Sequence, residues 1–208
     1  MTAAAVSEGP SGARVSLLFA TPVVVGELDA AEELNADLER RILAKRDEDK
    51  GLKLSNRGGW QSTHDFVKWS GEAGITVINR ACALASANVS RPDHTLPRWT
   101  VDAWANVSGP GAFNMPHVHG GTYWAAVYYV RVRGGEGGQL VLHDPRMPGL
   151  RMHAPAVRFT NLGPEVKAYI KPKEGLLVMF PGWLSHSVEP WEGSGERISV
   201  AMNIRAVG

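Results

Sequence analysis

The sequence has almost no cysteine: Cys82 is the only one in 208 residues. An intramolecular disulfide and a zinc site made of several thiolates are therefore excluded. A lack of disulfides is typical of proteins from reducing compartments, and we expect a cytoplasmic protein.

An excess of either charge is also absent, since 22 basic and 21 acidic side chains give a formal net charge of +1. No overall field would attract nucleic acid or an anionic membrane, and neither is expected as a partner. Long apolar runs are lacking too. The stretch VSLLFATPVVVGEL (15–28) contains Pro22, has no clearly basic flank and is rich in β-branched residues. We interpret 15–27 as a strand rather than as part of an export signal, and no other run is long enough to cross a bilayer.

The length of 208 residues and a hydrophobic content of 44% are typical of one domain over 1–208 with a sizeable core. Residues 1–14 are small and polar and are expected to form a flexible tail. The strand and a helical support are expected within 15–95: strong helix formers predict helices over 29–50 and 71–90, joined by a loop. Their apolar stripes are Leu34, Leu38 and Ile42 in the first helix, and Ile75, Ile78, Ala81 and Leu84 in the second; the loop is 51–66.

From residue 96 onward the chain consists of short apolar runs, often alternating with polar residues and separated by Gly, Pro, Asn and Asp. At least six such runs occur without a helical pattern between them, which predicts an all-β sandwich or barrel over 96–208. The protein is therefore expected to be mainly β, with the N-terminal helices supporting one face of the β core.

Two histidines lie close together in FNMPHVHGGTYW, residues 113–124. Alternate residues of a strand point to the same side, so His117 and His119 would be neighbours on one face if the segment is extended. Both imidazoles could then bind one cation. The alternative is that they are two solvated residues of a strand.

A third histidine, His186, follows another predicted strand in GLLVMFPGWLSHSVEPW, residues 175–191. A β-barrel can bring this strand beside the first pair, and a facial site of three ligands suits Fe(II), with positions left open for substrate and dioxygen. Arg197 and Ser199 then share one face of a later strand. A guanidinium matches the two oxygens of a carboxylate, and a buried arginine needs a partner, so an inward Arg197 predicts an anionic ligand or an acidic neighbour. An exposed strand arginine is the alternative.

This order of motifs, His-x-His, a distal His and Arg-x-Ser, resembles that of the iron(II)- and 2-oxoglutarate-dependent oxygenases. The chain is similar in particular to a bacterial family of such oxygenases, with matching motifs in the same order along nearly its whole length. In this sequence they are LFATPV (18–23), GGWQS (58–62), HVH to YYV (117–130), DPR (144–146), FPGWLSHSV (180–188) and ERISVAMN (196–203).

The resemblance implies a double-stranded β-helix, a jelly-roll or cupin-like barrel, that binds Fe(II) and uses 2-oxoglutarate as cosubstrate with dioxygen. His117 matches the first metal ligand and His186 the distal one, while Arg197 and Ser199 match the clamp for the distal carboxylate of 2-oxoglutarate. The implied activity is hydroxylation of a C–H bond in a small molecule, an amino acid or a peptide side chain, with desaturation as the other outcome of the same chemistry.

The sequence departs from the family at the second ligand, where His119 stands in place of Asp or Glu. Its spacing from His117 makes His119 the preferred third ligand, and Asp144 or a vacant position are the alternatives. Further contacts are proposed on position alone. For the cosubstrate they are Asn106, Asn114, Tyr123 and Asn203; for the substrate they are His143, Arg146 and Trp183.

Two other functions are compatible with the sequence. A cupin-like metalloenzyme would use the three histidines without 2-oxoglutarate, although the glutamate that cupins place four to five residues after the His-x-His pair is missing here. A non-catalytic jelly-roll that binds sugar or protein would use neither metal nor cosubstrate. A homodimer formed through the N-terminal helices is a further hypothesis.

Overall fold

The computed structural model describes residues 6–8, 14–16, 19–29, 31–146 and 166–207. The helices of this part of the chain are α1 (Ala31–Glu48), α2 (Phe66–Trp69) and α3 (Gly71–Ala87). Its N-terminal strands are β1 (Val6–Glu8), β2 (Arg14–Ser16), β3 (Val24–Glu27), β4 (Asn56–Arg57) and β5 (Trp60–Gln61). Its later strands are β6 (Arg98–Ser108), β7 (Phe113–His117), β8 (Trp124–Val132), β9 (Gly135–Gly137), β10 (Leu140–His143), β11 (Lys167–Ile170), β12 (Leu176–Pro181), β13 (His186–Val188), β14 (Trp191–Gly193) and β15 (Arg197–Val207).

Both predicted helices are confirmed, with shorter bounds than expected. Glu32 and Glu33 occupy the first turn of α1, where acidic side chains complement the helix dipole. In the predicted stripes Leu38, Ile42, Ile78 and Ala81 are buried, Leu34 and Leu84 are half-buried, and Ile75 is exposed. None of the helices in the described ranges is long and apolar enough to span a membrane.

The prediction of one continuous strand over 15–27 is wrong. Strand β2 ends at Ser16 and β3 begins at Val24, and residues 19–23 between them are not strand. Phe19 has a positive φ of 64°, and Pro22 has no amide hydrogen to donate to a ladder. Residues 6–8, inside the expected tail, form β1 and pair with β2. The expected loop over 51–66 contains the short strands β4 and β5.

Two antiparallel sheets form the body of the protein. One has six strands in the order β3-β12-β8-β15-β6-β5, and the other has five in the order β11-β10-β13-β7-β4. Apolar side chains from both sheets, including Ala125 and Phe180 from the first and Leu140 and Leu142 from the second, pack together between them. This arrangement is the predicted double-stranded β-helix, and the mainly β fold class is confirmed.

Strand β15 lies at the centre of the larger sheet, and both of its faces are buried. Ile198, Val200 and Met202 pack with the helices on the outer face of the sheet. Arg197 and Ser199 alternate with them and therefore point between the sheets. The polar residues of this strand thus face the inside of the sandwich, because the helices cover its apolar side.

A buried hydrogen bond joins helix α1 to the sheet, and its loss is expected to destabilise the fold. The Tyr128 hydroxyl donates to Oδ1 of Asn35 at 2.7 Å, and both side chains are buried. Replacing Tyr128 with Phe leaves the Asn35 oxygen without this donor, which we expect to lower the free energy of unfolding by about 1–3 kcal/mol in urea titrations. The control Tyr169→Phe removes a hydroxyl from a half-exposed tyrosine, and a change within about 0.5 kcal/mol is expected. Equal urea midpoints for Tyr128→Phe and the parent protein would contradict the prediction.

Candidate metal and cosubstrate site

Strand pairing brings the three predicted histidines together. His117, the last residue of β7, lies directly opposite His186, the first residue of β13, in the antiparallel ladder. His119 follows two residues after His117, and its backbone amide donates to the Gly182 carbonyl at 2.8 Å. One nitrogen atom from each imidazole lies within 4.8 Å of the other two. Within the described residues, these three histidines are the one group of His, Cys, Asp or Glu side chains close enough together to hold a metal ion.

Two of these rings have their tautomer fixed by backbone carbonyls. Nδ1 of His117 lies 2.7 Å from the Met115 carbonyl oxygen, and Nδ1 of His186 lies 2.9 Å from that of Leu184. Since a carbonyl oxygen only accepts, each Nδ1 carries the hydrogen and each Nε2 presents a lone pair. A carbonyl bonded to the far nitrogen is the usual device that orients a metal-binding histidine.

The environment keeps all three imidazoles neutral at neutral pH. Burial, followed by the charge of His117, lowers the pKa of His186 to about 3 and that of His119 to about 4. Burial also lowers the pKa of His117. Nε2 of His119 lies 3.2 Å from Nε2 of His186, so these nitrogens converge on one point. Three neutral nitrogen donors fit a divalent first-row metal such as Fe(II).

The lowered pKa values predict that the metal-free protein loses stability in mild acid. An unfolded histidine titrates near 6.5 and the folded His186 near 3, so below pH 6.5 the unfolded chain binds more protons. The stability from this group is complete above pH 6.5 and is lost as the pH falls toward 3. We expect the urea midpoint of the metal-free protein to be lower at pH 5 than at pH 7, and to fall less in a His186→Gln variant. A midpoint that does not change between these pH values would contradict this.

Arg197 is the second functional group inside the sandwich. Its side chain is buried, with only 3% of the residue exposed. Nη1 donates to the Gly138 carbonyl at 3.0 Å and Nη2 to the Ser108 hydroxyl at 3.1 Å, while Nε has no hydrogen-bond partner among the described residues. No carboxylate in the same ranges lies within ion-pair distance of it. Burial lowers the pKa of Arg197, but a guanidinium remains protonated at neutral pH.

The backbone of Gly138 passes close to the Arg197 side chain, and there is room for both because residue 138 has no side chain. A Cβ at position 138 would lie 3.3 Å from both Cδ and Nε of Arg197, and the φ of Gly138 is +57°. A glycine satisfies both demands, because it lacks the Cβ and adopts positive φ without strain. The Gly138 carbonyl therefore accepts a hydrogen bond from Arg197, but as a neutral group it does not balance the positive charge of the guanidinium.

The three histidines and Arg197 line one cavity of about 330 Å³. The structure brings the predicted residues Ser199, Asn106, Asn114 and Asn203 to the same cavity. Oδ1 of Asn203 is buried without a hydrogen-bond partner in the described residues. The phenol ring of Tyr129 closes the wall beside Arg197, with the guanidinium carbon 6.0 Å from the ring centroid.

The remaining predicted residues lie away from the cavity lining. Tyr123 packs against Trp99 and is 53% exposed, and Trp183 is 56% exposed. Nε2 of His143 lies 3.0 Å from the Ser187 hydroxyl. Nε and Nη2 of Arg146 donate to the two carboxylate oxygens of Asp144 at 2.9 and 2.6 Å. The geometry thus favours His119 over Asp144 beside the other two histidines.

Among the lining residues that the sequence did not indicate as site residues are Gln61, His64 and Trp104. Trp104 could have been found from strand parity, because it shares with Asn106 one face of β6. The loop residue His64 gave no such signal. It reaches the cavity because β5 pairs with β6 and because its neighbour Asp65 forms a bridge with Ala103.

The chain matches one family model in sequence and several solved structures in fold. Residues 102–203 match the family model described as "Putative 2OG-Fe(II) oxygenase". No curated protein matches the chain in sequence. In fold, the chain is similar to a prolyl hydroxylase from Trichoplax adhaerens solved with a hypoxia inducible factor peptide fragment, with a TM-score of 0.64 and 14% identity over 88% of this chain and 83% of that one.

Two bacterial structures are similar in fold to the same extent. A prolyl-4-hydroxylase from Pseudomonas putida has a TM-score of 0.61 and 18% identity, covering 90% of this chain and 94% of its own. HygX from Streptomyces hygroscopicus, solved with nickel and 2-oxoglutarate, has a TM-score of 0.61 and 14% identity, covering 89% of this chain and 82% of its own. Since the matched family agrees with the resemblance in the motifs, this chain belongs to the 2-oxoglutarate- and Fe(II)-dependent oxygenases and is an enzyme with those two cofactors.

Proposed function

We propose that His117, His119 and His186 bind the Fe(II) of this oxygenase, and that Arg197 and Ser199 bind the distal carboxylate of 2-oxoglutarate. The observation that carries the proposal is the Arg197 guanidinium, which is buried without an ion-pair partner in the described residues and lines the same cavity as the histidines. Removing a charge from water is costly unless an opposite charge joins it, so this site favours an anion. HygX, which is similar in fold, was solved with nickel and 2-oxoglutarate.

The side chains of this chain would position the reactants and keep the site dry. When bound, Fe(II) and 2-oxoglutarate supply with dioxygen the oxidising power for attack on a C–H bond. The Arg197 fork and the Ser199 hydroxyl hold one end of a dicarboxylate and so fix its direction in the cavity. The neutral histidines offer lone pairs without first losing a proton. Apolar side chains such as Leu140 and Phe180 exclude bulk water from the wall.

The cavity also bears on the substrate, for which we propose hydroxylation of a C–H bond in a small molecule or in one side chain of a peptide. Its volume of about 330 Å³ is at the lower end of the roughly 300–1,000 Å³ found for small-molecule sites. With 2-oxoglutarate beside Arg197, the cavity would have room for only a small group of the substrate. The neighbours support both substrate classes: two are prolyl hydroxylases, and HygX has also been solved with hygromycin B.

We further propose that the enzyme acts in the cytoplasm as a single domain, without nucleic acid or membrane as a partner. The lone Cys82 and the net charge of +1 support this. We also propose a homodimer formed through the N-terminal helices, which size-exclusion chromatography with light scattering tests directly.

Joint stabilisation by metal and cosubstrate is the expected signature of the proposed site. We expect Mn(II), used in place of Fe(II) to avoid oxidation, to raise the melting temperature, and 2-oxoglutarate to raise it further when the metal is present. A ligand at 100 times its Kd adds about 2.7 kcal/mol, which is roughly 5–10 °C for a chain of this size. A rise with metal alone would point to the cupin-like alternative, and no rise with either to a non-catalytic jelly-roll; both results would contradict the proposal.

A further inference from the structure

The three histidines differ in how their rings are held. In His117 and His186 the far nitrogen, Nδ1, donates to a backbone carbonyl, and this bond fixes both the tautomer and the direction of Nε2. Nδ1 of His119 makes no hydrogen bond to any described residue. The residue that departs from the family pattern is therefore also the one that lacks the usual orienting bond.

Besides the other two histidines, the His119 ring contacts the indole of Trp104. Its centroid lies 5.9 Å from that of Trp104, with an angle of 45° between the planes. Trp104 is itself buried in β6, the strand that pairs along its whole length with β15. A side chain on such a strand is a rigid neighbour, and its ring restricts the positions that the imidazole can take.

His64 also contacts Trp104. The two rings stack with centroids 4.6 Å apart and 20° between their planes. The next residue, Asp65, anchors the His64 loop: its carboxylate accepts from the Thr63 hydroxyl and from the Trp69 indole at 3.2 Å, and its backbone bridges to Ala103. His64 is therefore fixed by its own loop and does not rely on the metal ligands.

We propose that Trp104, supported by His64, is the positioning residue of His119, and that these two aromatic contacts replace the hydrogen bond that orients the other two ligands. The proposal rests on the ligand set proposed above. It implies that metal affinity depends on two side chains that do not touch the ion. Partners that orient a metal-binding histidine typically contribute 10–100-fold to affinity.

The test measures Co(II) binding to the full chain, by titration and by the visible absorption of the bound ion, so it needs neither substrate nor turnover. We expect Trp104→Leu and His64→Ala to weaken Co(II) binding about 10-fold and to change the absorption spectrum, and Trp104→Phe to restore most of the affinity. His64→Ala alters an exposed residue, so it remains informative if Trp104→Leu fails to fold.

The matched control is Phe180→Leu. Phe180 also contacts a ligand ring, with its centroid only 4.7 Å from that of His186, but His186 has its own carbonyl bond. The proposal therefore predicts a smaller loss of affinity for Phe180→Leu than for Trp104→Leu. It is overturned if His64→Ala binds Co(II) like the parent protein, or if Phe180→Leu is at least as damaging as Trp104→Leu.

A His119→Ala variant separates the two proposals. If this variant binds Co(II) as tightly as the parent protein, His119 is not a ligand, and the proposed ligand set fails together with its positioning residue. If His119→Ala weakens binding while Trp104→Leu and His64→Ala do not, the ligand set stands and only the positioning role is lost.

Discussion

Replacing Arg197 with Ala is expected to abolish 2-oxoglutarate binding at concentrations that saturate the parent protein. Truncating one partner of a buried charge pair costs about 2–5 kcal/mol, or roughly 30- to 5,000-fold in Kd. The loss should be near the upper end, because Nε of Arg197 has no hydrogen-bond partner in the described residues and is available to a ligand. The measurement is calorimetric titration of the Mn(II)-loaded protein with 2-oxoglutarate.

Two further variants make this result specific. Arg197→Lys keeps the charge but not the planar fork, and an intermediate affinity is expected. Arg205→Ala removes another arginine of β15, one that is paired with Asp102 instead of lining the cavity, and we expect it to bind 2-oxoglutarate like the parent protein. Mn(II) affinity without 2-oxoglutarate should be unchanged in all three. Unchanged 2-oxoglutarate binding in Arg197→Ala would remove the main support of the proposed function.

Strand alternation explains which parts of the site could be predicted from the sequence. In β15 the polar Arg197 and Ser199 alternate with Ile198 and Val200, so the sequence shows that they share one face. It does not show that this face points inward, because that depends on the helices that cover the apolar face. The proximity of His117 and His119 could be predicted in the same way, because residues two apart in a strand lie on the same face. The position of His186 opposite His117 is a long-range pairing. The predicted barrel made this pairing possible, and the order of motifs that the family shares favoured it.

Other residues could not be placed because both faces of their strand are buried. In β10, Val141 is buried like Leu140 and Leu142, so hydrophobicity does not reveal that the leucines face the cavity side and that His143 points away. The break between β2 and β3 was hidden for a related reason, since the apolar composition of 15–27 continues through it. In both cases the residues are mostly apolar, so the sequence shows neither which way the side chains of β10 point nor where β2 ends.

Changing His119 to Ala should weaken metal binding, whereas changing it to Asp should largely preserve it. Ala removes one of three proposed ligands, and we expect Fe(II) affinity to fall by more than the roughly 100-fold that indirect partners of a ligand can contribute. Asp restores the two-histidine, one-carboxylate set common in this type of oxygenase, so Fe(II) binding should be largely retained. The comparison is made by anaerobic titration with Fe(II).

The Asp variant should also change which metals the site prefers. Imidazole suits Ni(II) and Cu(II), whereas carboxylate suits Mn(II), so the ratio of Mn(II) to Ni(II) affinity should rise in His119→Asp relative to the parent protein. Since Trp104 has no imidazole to position in this variant, adding Trp104→Leu to His119→Asp should cost less affinity than it costs in the parent protein. An equal cost in both backgrounds would show that Trp104 acts on the site by a route that does not pass through His119.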